Sequence, residues 1–250
     1  MGSKKLEICI DSIESGVAAH EGGAHRIELC SALEVGGLTP TVGLLKQIQH
    51  LCPSMTIYAM IRPRSGDFCY DSNEIQIMQK DIQVLKSEGV NGFVFGVLKT
   101  DGTVDYKNCQ LLIETASPLD CTFHRAFDVV NDANKALEEV IKLGFTRILT
   151  SGQSKTAIDG LDNISNLVVR AQNRIIIMAG AGVTEDNMQL ILSKTNINEI
   201  HSSASCVKKS QMSFRNTNVS MGSNVENEYN IKVTSTQRVN KMIDILVKNY

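Results

Sequence analysis

The stretch CTFHRAFDVVNDANKALEEVIKLG, Cys121 to Gly144, carries the pattern that organises the whole chain. It opens with β-branched and aromatic residues, and residues 121–125 read as a strand. Ala133, Ala136, Leu137, Val140 and Ile141 then recur at helical spacing and make one apolar face, stopped by Gly144. Between the two lie His124, Arg125 and Asp128, ionisable groups placed where strand gives way to loop. Side chains alternate along a strand, so Thr122, His124 and Asp128 fall to one face and Phe123, Arg125 and Phe127 to the other. A strand that is apolar along its length and ionisable at its end is the usual raw material of an α/β site.

The same unit recurs in both directions, roughly every 25 to 35 residues. Strands are expected at residues 6–10, 26–30, 56–62, 92–98, 147–150, 175–179 and 199–203, in addition to 121–125. Asp11 or Ser12 can cap the first helix, which stops at Gly22-Gly23. A helix over 72–88 buries Ile75, Met78, Ile82 and Leu85, and another occupies 105–115. Thr184 is the expected cap of the seventh helix. Val239, Met242, Ile243, Leu246 and Val247 line one face of the last. Residues 205–232 read as a polar connection, long for a compact domain and so a candidate for function. Eight strand–helix units in 250 residues match an α/β fold of the (β/α)8 TIM-barrel type, one domain spanning 1–250. An open doubly wound sheet is the alternative; a helix after the eighth strand favours closure.

Net charge is −2 with acids and bases interspersed, so neither nucleic acid nor membrane is an expected partner. No apolar run approaches the roughly 20 residues of a membrane span. Met1-Gly2-Ser3-Lys4-Lys5 leads straight into the first strand without a signal-peptide core. Seven cysteines, an odd number with no CxxC pair, point to reduced thiols in a cytosolic setting rather than a disulfide framework.

In a barrel the strand ends converge on one face, and alternation sorts them. Glu7, Cys9 and Asp11 lie opposite Ile8 and Ile10; Glu28 and Cys30 lie opposite Ile27 and Leu29. With the apolar members packed on helices, the polar ones turn inward. The same rule sends Met60, Arg62, His124, Glu199, His201 and Ser203 into the lumen. Such a polar interior is either a ligand site or an ionic plug. Cys9 and Cys30 fall at corresponding points of adjacent parallel strands, which run about 4.8 Å apart. Two thiolates there suit a soft ion such as Cu(I), and two inert buried thiols would look the same.

Gly180-Ala181-Gly182 resembles a turn that presents backbone N–H groups to an anion, with Ser202 and Ser151 able to add hydroxyls; glycines that merely permit a tight turn are the alternative. A Schiff-base aldolase would need a lysine on an inward strand position, and a His-x-His metallohydrolase would need that pair on a strand; neither is present. General acid–base chemistry by His124 with Glu28, Asp11, Glu199 or Asp128 remains open, as does a metal site using His124, His201 and carboxylates.

Six stretches taken together carry a specific resemblance: LEICIDS from Leu6, GGAHRIELC from Gly22, GGLTP from Gly36, MIRPRSGDF from Met60, TFHRAFD from Thr122 and LTSG from Leu149. The chain resembles the CutC copper-homeostasis family from the first strand to the last helix. It departs from the family's usual pattern at His25, where aspartate is common, and at Ala181, within a turn commonly richer in glycine. The resemblance implies a (β/α)8 barrel, Cu(I) binding in copper tolerance or trafficking, and homo-oligomerisation as dimer or tetramer. It also implies a cytoplasmic location, extending to the nucleus in eukaryotic cells. It maps the family's proposed copper ligands onto Cys9 and Cys30. The rival reading is a barrel enzyme acting on a small anionic substrate, phosphorylated or not. In that case Arg62 and the Gly180–Gly182 turn, with Ser151 and Ser202, hold the anion, and His124 acts as acid or base with Glu28, Asp11 or His201. A mouth blocked by side chains would count against it.

Overall fold

A computed structural model describes residues 4–216, 218–219 and 229–248. The reading of residues 1–3, and part of that for 205–232, lies outside them. Eight parallel strands alternate with helices: β1 (Lys5–Ile10), α1 (Ile13–Glu21), β2 (Arg26–Leu29), α2 (Val42–Leu51), β3 (Ile57–Met60), α3 (Ser72–Ser87), β4 (Gly92–Phe95) and α4 (Tyr106–Ala116) come first. Then follow β5 (Asp120–Phe123), α5 (Ala133–Leu143), β6 (Arg147–Thr150), α6 (Leu161–Ala171), β7 (Ile176–Ala179), α7 (Met188–Thr195) and β8 (Glu199–Ser202). β8 pairs with β1, so the sheet is a closed (β/α)8 barrel and the open-sheet alternative falls away.

Alternation places the core as expected. Ile8, Ile10, Ile27, Leu29, Phe93, Phe123 and Ile148 are fully buried between sheet and helices, while Glu7, Glu28 and Glu199 are buried on the inner side. The helix starts follow local chemistry. Ser12 accepts from Ser15 N at α1, and Asp71 and Glu74 form a reciprocal capping box at α3. Gly144 closes α5 at φ 90°, where a side chain would be strained.

Three expectations need correction. Strands β2, β3 and β5 end earlier than expected, which leaves Cys30, Arg62 and His124 just beyond them. A 3-10 turn, Arg125–Val129, begins immediately after His124, so Asp128 lies on no strand face. The cap of α7 is Asn187, not Thr184, since three further residues turn before the helix starts. The connection 205–232 contains an antiparallel pair, β9 (Ser205–Lys209) and β10 (Asn230–Thr234), before the final helix α8 (Thr236–Lys248). Most of that hairpin is exposed on both faces, with Val207 and Ile231 outward, and it carries none of the alternation that betrays a half-buried strand.

Candidate functional site

Two layers of side chains fill the lumen, and they differ in how completely their charges are matched. The deeper layer is a closed ionic lattice. Arg26 donates to Glu7 and to Glu199 (2.7 Å). Arg147 reaches Glu199 through Nε (2.7 Å) and Nη2 (3.3 Å), and Thr122 Oγ1 through Nη1 (3.2 Å). Both guanidiniums lie over the Tyr58 ring, at 4.8 and 5.3 Å, and the Tyr58 hydroxyl donates to Asp120 (2.8 Å). Burial works to raise the Glu7 and Glu199 pKa values, but their arginine partners more than reverse it and hold both low. Arg26 shares the parity of Glu28 and Arg147 that of Leu149, so alternation held the clue to both. Their pairing across the barrel did not show in the sequence.

The upper layer opens on His201. Its Nδ1 lies 2.8 Å from Glu7 Oε1 and its Nε2 3.7 Å from Glu28 Oε2. Burial disfavours the charged ring, yet Cys9, Glu28 and Glu7 outweigh it and raise the His201 pKa well above its ordinary value. Burial lifts Glu28 to about 7 despite the pull of His201, and its Oε1 has no partner among the described residues. Ligand atoms of Cys9, Glu28 and His201 lie within 4.8 Å of one another.

Strand register explains the grouping and corrects the expected level of the cysteines. Glu7 stands beside both Arg26 and His201, and Cys9 pairs with Glu28, not with Cys30. Cys30 sits one pleat further along, its amide bonded to Ile10 O and its Sγ 3.6 Å from Glu28 Oε2. Glu28 therefore touches both thiol environments. Cys9 is half-buried, its Sγ 3.7 Å from Ser202 O, whereas Cys30 is fully buried. Burial pushes the Cys30 thiol well above its usual range, reinforced by the Glu28 charge.

His124 stands apart from this group. It is 3 % exposed, and Nδ1 accepts a hydrogen bond from Ala126 N at 3.2 Å. Nε2 has no partner among the described residues. Burial, assisted by Arg62, pushes its pKa down to about 3, so the ring is neutral. Among the described residues no carboxylate bonds it: Asp128 instead ties Arg125 (2.7 Å), Thr150 (2.5 Å) and the Ser151 amide (3.0 Å), and Asp11 holds Leu33 N (3.1 Å). Arg62 is 5 % exposed and clamps three loop carbonyls, Val35 (2.9 Å), Gly37 (3.1 Å) and Gly66 (2.9 Å), with no acceptor in line with Nε–H among the described residues.

The other proposed anion contacts are engaged internally. Ser202 Oγ donates to Val183 O (2.7 Å), and Ser151 Oγ bonds Asp128 (2.9 Å) and Ser154 O (2.6 Å). A Cβ at Gly180 would strike Leu149 and crowd His201, so this glycine lets the imidazole pack; Gly182 sits at φ 69°. A surface cleft of about 600 Å³ between α1, the hairpin and α8 lies outside the lumen.

Residues 4–206 match the model of the CutC family. The human protein named copper homeostasis protein cutC homolog is 44% identical over 245 residues, covering 98% of this chain and 89% of that protein. A family protein CutC of Vibrio campbellii is 46% identical over 245 residues, with 97% and 98% covered. Among solved structures, the putative copper homeostasis protein CutC of Streptococcus agalactiae superposes with a TM-score of 0.77 at 33% identity, covering 80% of this chain and 98% of that one. A thiamine phosphate pyrophosphorylase from Pyrococcus furiosus, at 15% identity and a TM-score of 0.60, shares the barrel fold alone. With its closed barrel and these relatives, the chain belongs to the CutC family.

Proposed function

We propose that this chain binds Cu(I) as cargo at the barrel mouth, in the reducing cytoplasm and nucleus. Cys9 is the first thiolate, Cys30 the second, and His201 Nε2 the nitrogen donor, once the ion's arrival displaces to solvent the proton that the neighbouring carboxylates hold on the ring. The observation that carries the reading is the mutual reach, within 4.8 Å, of Cys9, His201 and Glu28. Thiolate and imidazole are soft to borderline donors that favour Cu(I), whereas the carboxylate is hard. Glu28 is therefore assigned a different role: its unpartnered oxygen accepts a proton when a thiol ionises, which suits a carboxyl raised to about 7. Cys9, being half-buried, receives the ion first, and Cys30 joins at the cost of ionising in a buried setting.

The test is competition for Cu(I) against a chromophoric chelator under anaerobic, reducing conditions. Cys9→Ser and His201→Gln are expected to weaken binding by at least the roughly 10- to 100-fold that even a metal's outer hydrogen-bond partners are worth. Unchanged affinity in Cys9→Ser, or tighter retention of Zn(II) than of Cu(I), would sink the assignment.

A further inference from the structure

The residues around His124 present hydrogen-bond donors with no acceptor to match. His124 Nδ1 already accepts from a backbone N–H, and the ring is buried and neutral, so its one proton sits on Nε2. Arg62 is a buried cation, and among the described residues no carboxylate pairs with it; its Nε–H is unpartnered. The Tyr70 hydroxyl is buried beside the Arg62 guanidinium, which interacts with its oxygen, and its own O–H finds no acceptor among the described residues. Phe68 connects the group: its ring lies 5.0 Å from the Arg62 guanidinium carbon and 4.7 Å from the His124 ring. Beneath His124, Gly96 leaves the space the imidazole occupies, since a Cβ there would come within 2.9 Å of Nδ1.

Buried charges are ordinarily paired, and a buried donor without an acceptor is costly. One positive charge, the His124 Nε2–H and the Tyr70 O–H, with no carboxylate bonded to any of them among the described residues, define a complementary ligand. We propose that Arg62, Tyr70 and His124 form a binding site for a small oxyanion, a carboxylate or a phosphate group, with Phe68 as its cover. The anion supplies the countercharge of Arg62 and accepts from Arg62 Nε–H, His124 Nε2–H and the Tyr70 hydroxyl. The site uses different side chains from the Cys9–His201 group and does not rest on copper binding, although Gly37, whose carbonyl accepts from Arg62, packs on Cys30. It also differs from a site built on the Gly180–Gly182 turn, whose neighbouring Ser202 hydroxyl is already engaged.

The experiment titrates copper-free full-length protein, labelled with 15N-histidine and 15N-arginine, with sodium acetate and with inorganic phosphate. Ionic strength is held constant with sodium chloride. The His124 Nε2 and Arg62 Nε resonances, assigned with His124→Asn and Arg62→Lys, are expected to shift together and saturate with one probe. Saturation by acetate identifies a carboxylate site, and saturation by phosphate a phosphate-ester site. Tyr70→Phe, which removes one donor to the anion, is expected to weaken that binding roughly five- to tenfold. Shifts that never saturate, that chloride reproduces, or that Tyr70→Phe leaves unaltered would overturn the proposal.

Discussion

The floor and the mouth of this barrel are built from the same residue types and solve opposite problems. On the floor, Arg26, Arg147, Glu7 and Glu199 bond one another over the Tyr58 ring. At the mouth, Glu28 Oε1, Arg62 Nε and His124 Nε2 are buried without partners, and the Tyr70 O–H without an acceptor, among the described residues. Ionisable residues inside a barrel are thus not one signal. A lattice that satisfies itself holds strands in register, and an interior that leaves donors and acceptors unmatched keeps them for something else. The plug reading describes the floor, and the unmatched groups of the mouth are what the site proposals above rest on.

The contrast can be broken most forcefully on the floor. Glu199→Ala removes the carboxylate shared by Arg26 and Arg147 and leaves a buried guanidinium uncompensated, which is expected to cost about 3–5 kcal/mol in urea denaturation. A loss comparable to that of a surface substitution would mean the floor is not a structural lattice.

Acid sharpens the comparison next. Burial holds the folded His124 pKa near 3, against about 6.5 when unfolded. Between those values the unfolded state binds more protons. The contribution of His124 is therefore complete above about pH 6.5 and drains as pH falls toward 3, at most about 1.4 kcal/mol per pH unit. Denaturation between pH 7 and 4 should show wild type losing stability more steeply than His124→Asn; parallel slopes would contradict a buried neutral ring. The smallest expected effect is Tyr70→Phe. Removing a hydroxyl that donates to no described acceptor should leave stability within about 0.5 kcal/mol, and a larger loss would show that its contact with Arg62 holds the loop.

The barrel was legible because its two periods are local. Helical spacing from Ala133 to Ile141, and alternation such as Ile8 and Ile10 against Glu7 and Cys9, depend only on which neighbours face the core. The hairpin of β9 and β10 was not, since an exposed pair held by backbone bonds across a long connection has no reason to alternate. Tyr70 was equally invisible: it lies in a loop, and only the arrival of Arg62 beside it makes its hydroxyl matter.

Sequence alone determined that Glu7, Cys9, Glu28, Glu199 and His201 face inward, since the pleat dictates parity residue by residue. It could not set their heights. Register between strands, which depends on how eight segments close on one another, put Cys9 beside Glu28 rather than Cys30, and Glu7 beside His201. Closure also matched the floor charges across the barrel and left those of the mouth unmatched. Partnership between groups distant along the chain is a property of the closed sheet, and only tertiary structure could assign it.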